Sequence, residues 1–258
     1  MAVRVRAVRW WFFETGCRTR FFKMIIHKLI GGFLKHKGGF PEFYSLQAKD
    51  AIRWIQKKGV VLSAETKVLD LGCGFGDFGG ELAKLGCQVT LADDESFVLP
   101  AYSKLPFRSI NIDRNDLKPL GTYDLVICSN VLEHLAKPVR FIQSVHELLG
   151  PRGTLYLSWT NWLSPWGGHE FSPYHYLGVR RGYQFYSNVL KKKSQHVPFE
   201  NLFPTYVGST LGEIRKNTRL RIVRVAPRYY PEFSFIMRLP VFREFFAWNC
   251  ALLIEKSD

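Results

Sequence analysis

The chain has 258 residues, of which 47% are hydrophobic and 22% charged, and its formal net charge is +14. This balance suits one globular domain with a full core and excludes wholesale disorder, and no apolar run reaches the roughly 18 residues of a membrane-spanning helix. The five cysteines are scattered and form no CxxC pair, which argues against a disulfide framework and a structural zinc site. A reducing, cytoplasmic compartment is therefore expected, and no metal is predicted.

The positive charge is concentrated in the two flanks of the chain. Residues 1–40 carry nine Lys/Arg against one acidic residue, a net +8, and residues 180–245 carry thirteen against four, a net +9. Residues 41–179 carry thirteen against fifteen, a net −2. Basic flanks suit a nucleic acid, an anionic membrane surface or an acidic substrate, and charge alone does not choose among these partners.

The first flank contains a helical pattern. Between residues 20 and 34, the polar side chains Arg20, Lys23, His27 and Lys28 recur at helical spacing among apolar residues. The pattern predicts an amphipathic helix that either lies on an anionic membrane surface or packs its apolar side on the domain. Glycines and a proline then predict a boundary near residue 40. Residues 1–40 are thus predicted to be a basic, aromatic extension, and residues 41–258 to be the main domain. The protein is expected to be cytoplasmic, and peripheral association with a membrane is a candidate.

From residue 41 the pattern alternates between helices and strands. Helices are predicted over residues 43–59, 77–85 and 138–149. Strands are predicted over residues 67–71, 88–93, 107–112, 123–129, 153–159, 220–225 and 250–255. Strands that alternate with helices indicate a mostly parallel, doubly wound α/β sheet with helices on both faces.

A glycine-rich turn follows the first strand. Gly72, Gly74 and Gly76 occupy every second position, so the backbone can turn tightly and approach a ligand closely. A formal GxGxxG from Gly74 to Gly79 keeps a nicotinamide-dependent oxidoreductase as an alternative. Asp70 precedes the turn, and its carboxylate favours a ligand with cationic groups over a pyrophosphate.

Five motifs occur in a fixed order along the chain. They are Leu69–Gly76, Val89–Asp93, Asp113–Leu117, Tyr123–His134 and Leu149–Leu155. With them, residues 65–160 resemble the class I S-adenosylmethionine-dependent methyltransferases, specifically the small type 11 group. The resemblance implies a Rossmann-like, mostly parallel seven-stranded sheet, and S-adenosylmethionine as the cofactor.

The resemblance also assigns the methionine end of the cofactor to the glycine turn. Gly72, Cys73, Gly74 and Gly76 would hold the methionine part, with Asp70 near its amino group. Cys73 is a small residue in tight packing rather than a nucleophile.

The other cofactor contacts implied lie at later strand ends. Asp93, or its neighbour Asp94, would accept hydrogen bonds from the ribose hydroxyls. Asp113 and the backbone of Arg114 would read the adenine edge, and Ser129–Asn130 would line the floor beneath the sulfonium. The alternative for Asp93 and Asp113 is a structural role as a helix N-cap.

Methyl transfer from a sulfonium is an in-line displacement, so the protein must align the acceptor, remove its proton and exclude water. No metal is intrinsically required. The candidate bases are His134, His169, Glu170 and His175. In similar enzymes the histidine at the position of His134 lies near the active-site mouth, although it is also often structural.

An aromatic segment after the fifth strand is the most distinctive stretch of the chain. Residues 159–178 combine tryptophans and tyrosines with histidines, an asparagine and a glutamate. Aromatic faces with interleaved polar groups suit a sugar or another ring-bearing acceptor, and a packed aromatic lid is the alternative. An acceptor-side insertion is expected at about residues 160–200.

This segment, with Arg228–Pro231 downstream, resembles a branch of uncharacterised actinobacterial methyltransferases linked with cell-envelope glycan assembly. The predicted function is thus methyl transfer to oxygen on a small-molecule, glycan or lipid-linked acceptor. The apolar residues 233–246 either cover a sheet edge or touch a lipid surface.

Two further alternatives for the function are an RNA methyltransferase that uses the basic flanks and a non-catalytic scaffold. Ser129–Leu132 lacks the Asn-Pro-Pro-Tyr-like signature of amine methylation on bases, which disfavours RNA.

Overall fold

The structure, a computed structural model, describes residues 42–257. The amphipathic helix predicted at residues 20–34 lies outside the described residues. The helices are α1 (Phe43–Lys57), α2 (Asp77–Lys84), α3 (Pro138–Ser144), α4 (Val179–Gln184), α5 (Val207–Lys216) and α6 (Pro240–Phe246). The strands are β1 (Lys67–Leu71), β2 (Gln88–Asp93), β3 (Phe107–Ser109), β4 (Tyr123–Ser129), β5 (Leu149–Thr160), β6 (Leu220–Pro227) and β7 (Asn249–Lys256).

All seven strands form one sheet in the order β3-β2-β1-β4-β5-β7-β6. The pairs from β3 through β5 are parallel, whereas β7 runs antiparallel to both β5 and β6. The predicted mostly parallel, seven-stranded sheet is therefore confirmed. The strand order reverses between β1 and β4, and the carboxyl ends of parallel strands at such a switch point form a crevice where ligands bind.

The central strands are mostly apolar because both faces of the sheet are covered. Along β4, Leu125 and Ile127 pack in one core cluster, while Val126 and Cys128 pack in the other. All four side chains are fully buried. This arrangement explains the nearly continuous apolar runs, which are typical of a parallel sheet between two helix layers.

Strands β1, β2 and β4 have the predicted bounds, and the largest differences are in β3 and β5. Strand β3 ends at Ser109, three residues before the predicted end. The chain then turns, and the Asn111 amide donates to Asn115 Oδ1 at 2.8 Å. Strand β5 begins at Leu149, because Leu149 already pairs with Tyr123 before a register shift brings Thr154 opposite Leu125. The predicted helix over residues 138–149 correspondingly ends as a 3₁₀ turn before Leu149.

The apolar residues 233–246 pack beside the edge strand β6. A 3₁₀ segment, Pro231–Arg238, contacts β6 and buries Met237. Helix α6 contacts α5 but exposes Val241, Phe242 and Phe245. Among the described residues, no helix has both the length and the apolar character needed to cross a membrane.

Candidate functional site

The glycine turn after β1 needs glycine for two different reasons. At Gly72, φ is 69°, and a Cβ atom there would lie 2.3 Å from Val131 Cγ2. At Gly74, φ is 50°, and the space where a Cβ would lie is open, with no described atom within 4 Å. Gly72 is therefore packed against the protein, whereas Gly74 borders space that a ligand can enter. Cys73 lies between them with its thiol largely buried, and burial raises the pKa of that thiol.

Asp70 lies beneath the turn. Its side chain is almost fully buried, and Oδ2 accepts a hydrogen bond from the Gly79 amide at 2.8 Å. Burial raises the pKa of Asp70 to about 7, although the hydrogen bond from Gly79 acts in the opposite direction. The carboxyl group thus ties β1 to the first turn of α2 and provides a charge site directly under the crevice.

Asp93, at the end of β2, is next to the glycine turn. Its Oδ2 accepts from the Gly74 amide at 2.8 Å, and its Oδ1 accepts from the Asp94 amide at 2.9 Å. Asp94 is exposed, and its own carboxylate accepts from the Glu95 amide. Of the two predicted ribose ligands, Asp93 is therefore the one that the fold holds against the turn.

Asp113 has a role that differs from the predicted adenine contact. Its two carboxylate oxygens accept from the Ala136 and Lys137 amides at 2.9 and 2.8 Å. Arg140 donates to the carbonyl oxygens of Asp113 and Arg114, and the Arg114 side chain is exposed. Asp113 thus satisfies amides just before α3, which begins 25 residues further along the chain. The adenine contact stays a prediction.

The predicted floor residues belong to a buried polar network at the end of β4. Asn130 has a left-handed backbone, with φ of 56°, and its Oδ1 accepts from Asn249 Nδ2 at 2.8 Å and from Arg228 Nη1 at 3.1 Å. Ser129 Oγ accepts from Ser158 Oγ at 3.1 Å. These hydrogen bonds orient the polar side chains at the carboxyl end of β4, and their place beneath the sulfonium stays a prediction.

Arg228 was not predicted as a site residue, although it is only 5% exposed. Its guanidinium lies over the rings of Phe78 and Tyr229, 5.6 and 5.8 Å from their centroids. Within the described part of the chain no carboxylate forms an ion pair with it, and its buried Nη2 has no hydrogen-bond partner. A buried cation without an ion-pair partner is costly, and an anionic ligand group that reached Nη2 would relieve this cost.

Helix α1 also contributes residues that sequence reasoning missed. Tyr44 packs edge-on against Phe75 in the glycine turn, with ring centroids 5.5 Å apart. Burial raises the pKa of Tyr44, and the carboxylates of Asp77 and Glu170 add to the shift. The amphipathic pattern of α1 showed only that one face would be buried.

Three histidine rings converge at the mouth of the crevice. The ring centroids of His134, His169 and His196 are between 4.4 and 5.2 Å apart. His134 and His169 are two of the predicted bases, whereas His196 was not predicted. Only the loop that returns after α4 brings it to the other two, so no local pattern marks it.

The surrounding residues hold these rings in place. His134 Nδ1 lies 2.7 Å from the Asn201 carbonyl oxygen, and His196 Nδ1 lies 2.8 Å from the Glu170 carboxylate. Burial and the two neighbouring histidines lower the pKa of His169 to about 3, so this ring is neutral. Burial alone would raise the pKa of Glu170, but the hydrogen bond with His196 lowers it to about 2.

His175, another of the predicted bases, has a packing role instead. It is 1% exposed, its Nε2 lies 3.0 Å from the Ser164 carbonyl oxygen, and its ring packs edge-on against Trp162. Trp162 and Phe171 belong to a small separate core. Part of residues 159–178 is therefore packed inside the protein, and whether the segment contacts an acceptor stays a prediction. Trp166 remains 42% exposed and is available to a ligand.

Comparison with known proteins gives consistent matches. The family described as "Methyltransferase domain" matches residues 69–155. An "Uncharacterized methyltransferase" of Mycobacteroides abscessus is 30% identical over 246 residues, covering 88% of this chain and 92% of the relative. An S-adenosylmethionine-dependent methyltransferase from Mesorhizobium loti has a similar fold, with a TM-score of 0.56 at 18% identity, over 80% of this chain and 97% of that one. A protein from Listeria monocytogenes with a similar description reaches 0.53 at 18% identity, over 82% of this chain and all of that one.

Proposed function

This chain belongs to the methyltransferases and has the class I fold, and we propose that it transfers a methyl group from S-adenosylmethionine to an oxygen atom of a small-molecule, glycan or lipid-linked acceptor. The observation that carries the cofactor assignment is the contact between Asp93 and the Gly74 amide beside the open face of the turn. That contact holds a carboxylate at a strand end, where a ribose with two hydroxyls can donate to it.

Three further features of the crevice suit the methionine end of this cofactor. Asp70 supports the cofactor's amino group from below, and the floor residues Ser129 and Asn130 lie at the end of β4. Arg228 Nη2 takes the methionine carboxylate, which is the anionic group of this cofactor. A charge-assisted hydrogen bond to a carboxylate would satisfy the guanidinium that the protein alone leaves unpaired.

The acceptor enters on the side of the histidines and the aromatic segment. His134 and His169 lie together there, and an in-line displacement by a hydroxyl requires a group that removes its proton. Trp166 and Tyr176 are the exposed aromatic side chains of the segment, and such rings stack on the apolar faces of sugars. These features favour a neutral ring-bearing acceptor over a polyanion.

A lipid-linked acceptor would bring the enzyme to a membrane surface. Val241, Phe242 and Phe245 are exposed on α6, and Arg238 lies just before this helix. An apolar face beside positive charge suits an anionic bilayer. Flotation with phosphatidylglycerol vesicles tests this part, with a Phe242→Ser, Phe245→Ser variant expected to float less. Equal flotation of both proteins would exclude α6 as the contact.

Calorimetric titration tests the proposed function. We expect S-adenosylmethionine and S-adenosylhomocysteine to bind, and NAD not to bind. Asp93→Ala should abolish binding, whereas Asp94→Ala is the matched control, because its exposed carboxylate does not contact the turn. Binding of NAD, or equal binding by Asp93→Ala and wild type, would contradict the proposal. Transfer of a labelled methyl group into lipid, glycan and RNA extracts then identifies the acceptor class.

A further inference from the structure

The three convergent histidines have the character of a metal site. One ring nitrogen from each of His134, His169 and His196 lies within 4.8 Å of the other two. We propose that these residues bind one divalent transition-metal ion of the zinc class, with one coordination position left open. The site is separate from the glycine turn and does not depend on the identity of the cofactor.

Two of the rings are oriented by an oxygen acceptor at Nδ1. His134 Nδ1 faces the Asn201 carbonyl oxygen, and a carbonyl can only accept, so Nδ1 carries the proton and Nε2 is the free nitrogen. His196 Nδ1 faces the Glu170 carboxylate in the same way. Histidines that ligate metals usually donate their other N–H to a carbonyl or a carboxylate, and this contact fixes both the tautomer and the ring orientation.

The third ring has a buried nitrogen without a partner. His169 Nε2 has almost no exposed surface and forms no hydrogen bond with any of residues 42–257. Buried polar atoms are nearly always paired, so this nitrogen requires an explanation. A metal ion coordinated by the three rings would supply its partner. Ser194 Oγ donates to the Glu170 carboxylate at 2.9 Å, and this hydrogen bond helps to fix the carboxylate that contacts His196.

The chemistry of the donors indicates the class of metal. Imidazole suits zinc, copper, iron and nickel, whereas magnesium and calcium require oxygen ligands. At bond lengths of about 2.0–2.1 Å, tetrahedral nitrogen ligands are roughly 3.4 Å apart, so separations of up to 4.8 Å must shrink by up to about 1.4 Å. His196 can supply much of this movement, because its side chain is 28% exposed on a loop. Three protein ligands leave the fourth position to water or a substrate.

An open metal position at the mouth of the crevice has a chemical consequence. A hydroxyl bound there loses its proton more readily, because the ion stabilises the resulting oxygen anion. The acceptor's oxygen could thereby be activated without a free histidine as the base. This consequence rests on the proposed function, whereas the metal site itself does not.

Cobalt titration of the full-length protein tests the site. Visible absorption is recorded as Co²⁺ is added to the metal-stripped protein, and bound Zn²⁺ is measured by elemental analysis after dialysis. We expect one equivalent of cobalt with the visible bands of a four- or five-coordinate ion. His196→Ala should lose it. His146→Gln is the matched control, because His146 contacts Gln143 and Arg219 outside the cluster and its replacement should retain binding.

A second variant keeps the test independent of folding. Glu170→Gln retains all three histidines but replaces the carboxylate beside His196, and metal affinity should fall about 10- to 100-fold. S-adenosylhomocysteine affinity should be unchanged in both variants, so failure of the metal site is distinguishable from failure of the cofactor site. The absence of a visible band in wild type, or undiminished cobalt binding in His196→Ala and Glu170→Gln, would overturn the proposal.

Discussion

Replacing Arg228 with methionine separates the binding role of this side chain from its role in stability. The guanidinium is buried between Phe78 and Tyr229, and Nη2 is unpaired within the described structure. If Nη2 binds the cofactor's carboxylate, its removal deletes one hydrogen bond between charged groups. Such a bond contributes about 1.5–3 kcal/mol, which corresponds to a roughly 10- to 150-fold increase in the dissociation constant.

The same substitution should weaken ligand binding but leave the stability of the folded chain equal or higher. A methionine can fill the space between the two rings, and the cost of burying an unpaired charge disappears. Asn130 Oδ1 keeps its hydrogen bond from Asn249 at 2.8 Å, so the substitution leaves this acceptor satisfied. We therefore expect the melting temperature of the ligand-free Arg228→Met variant to equal or exceed that of wild type.

The assay compares two ligands. S-adenosylhomocysteine carries the carboxylate, whereas methylthioadenosine lacks the whole amino-acid part. Arg228→Met should weaken only the first, and Arg224→Met, at an exposed position on β6 four residues before Arg228, is the matched control that should weaken neither. Unchanged S-adenosylhomocysteine affinity, or an equal loss for both ligands, would refute the assignment.

Three further predictions concern the turn, the buried acid and the histidines. Gly72→Ala should lower the free energy of unfolding by about 1–3 kcal/mol, because the new methyl group meets Val131. Gly74→Ala adds its methyl to open space, and thermal melts in which it is the more damaging change would contradict this geometry. Because burial raises the pKa of Asp70 to about 7, the Asp70 carboxyl keeps its proton up to a higher pH in the folded chain than in the unfolded chain. This contribution to stability is present below about pH 4 and is lost as pH rises through 7. Urea unfolding at pH 5 and pH 8 should show a smaller difference in Asp70→Asn than in wild type, and identical differences would refute the argument. His134→Ala should lower turnover about a hundredfold or more with unchanged S-adenosylhomocysteine affinity, and an equal loss of that affinity would mark His134 as structural.

The accuracy of the sequence prediction varied with the pairing of each strand. Strand β4 lies in the middle of the sheet, and its apolar run ends where its pairing ends, so its predicted bounds were correct. Strand β3 is at an edge, where only β2 pairs with it, and its apolar pattern continued beyond the hydrogen bonds. The start of β5 depended on a register shift opposite Tyr123. Such pairing irregularities have no local signature.

The spacing of glycines and acidic residues in the sequence indicated most of the proposed cofactor site. Glycines that follow a buried strand, with acids before the turn and at the next strand end, specify a crevice because parallel strands end at one edge of a sheet. Together with the family resemblance, local spacing therefore placed Asp70, Gly74 and Asp93 at one site. It could not show that Asp113 would turn to the amides before α3, since that choice depends on a contact 23 residues away.

The long-range contacts of the site were decided by the tertiary structure. Arg228 reaches Asn130 across 98 residues, and Asn201 reaches His134 across 67. Such partners are chosen by the packing of the whole chain, because many segments could satisfy one buried polar group equally well. The sequence by itself determined the fold, the family and the glycine turn, whose signals repeat within a few residues. Only the tertiary structure brought His196 to two other histidines and left the buried Nη2 of Arg228 without a hydrogen-bond partner among residues 42–257.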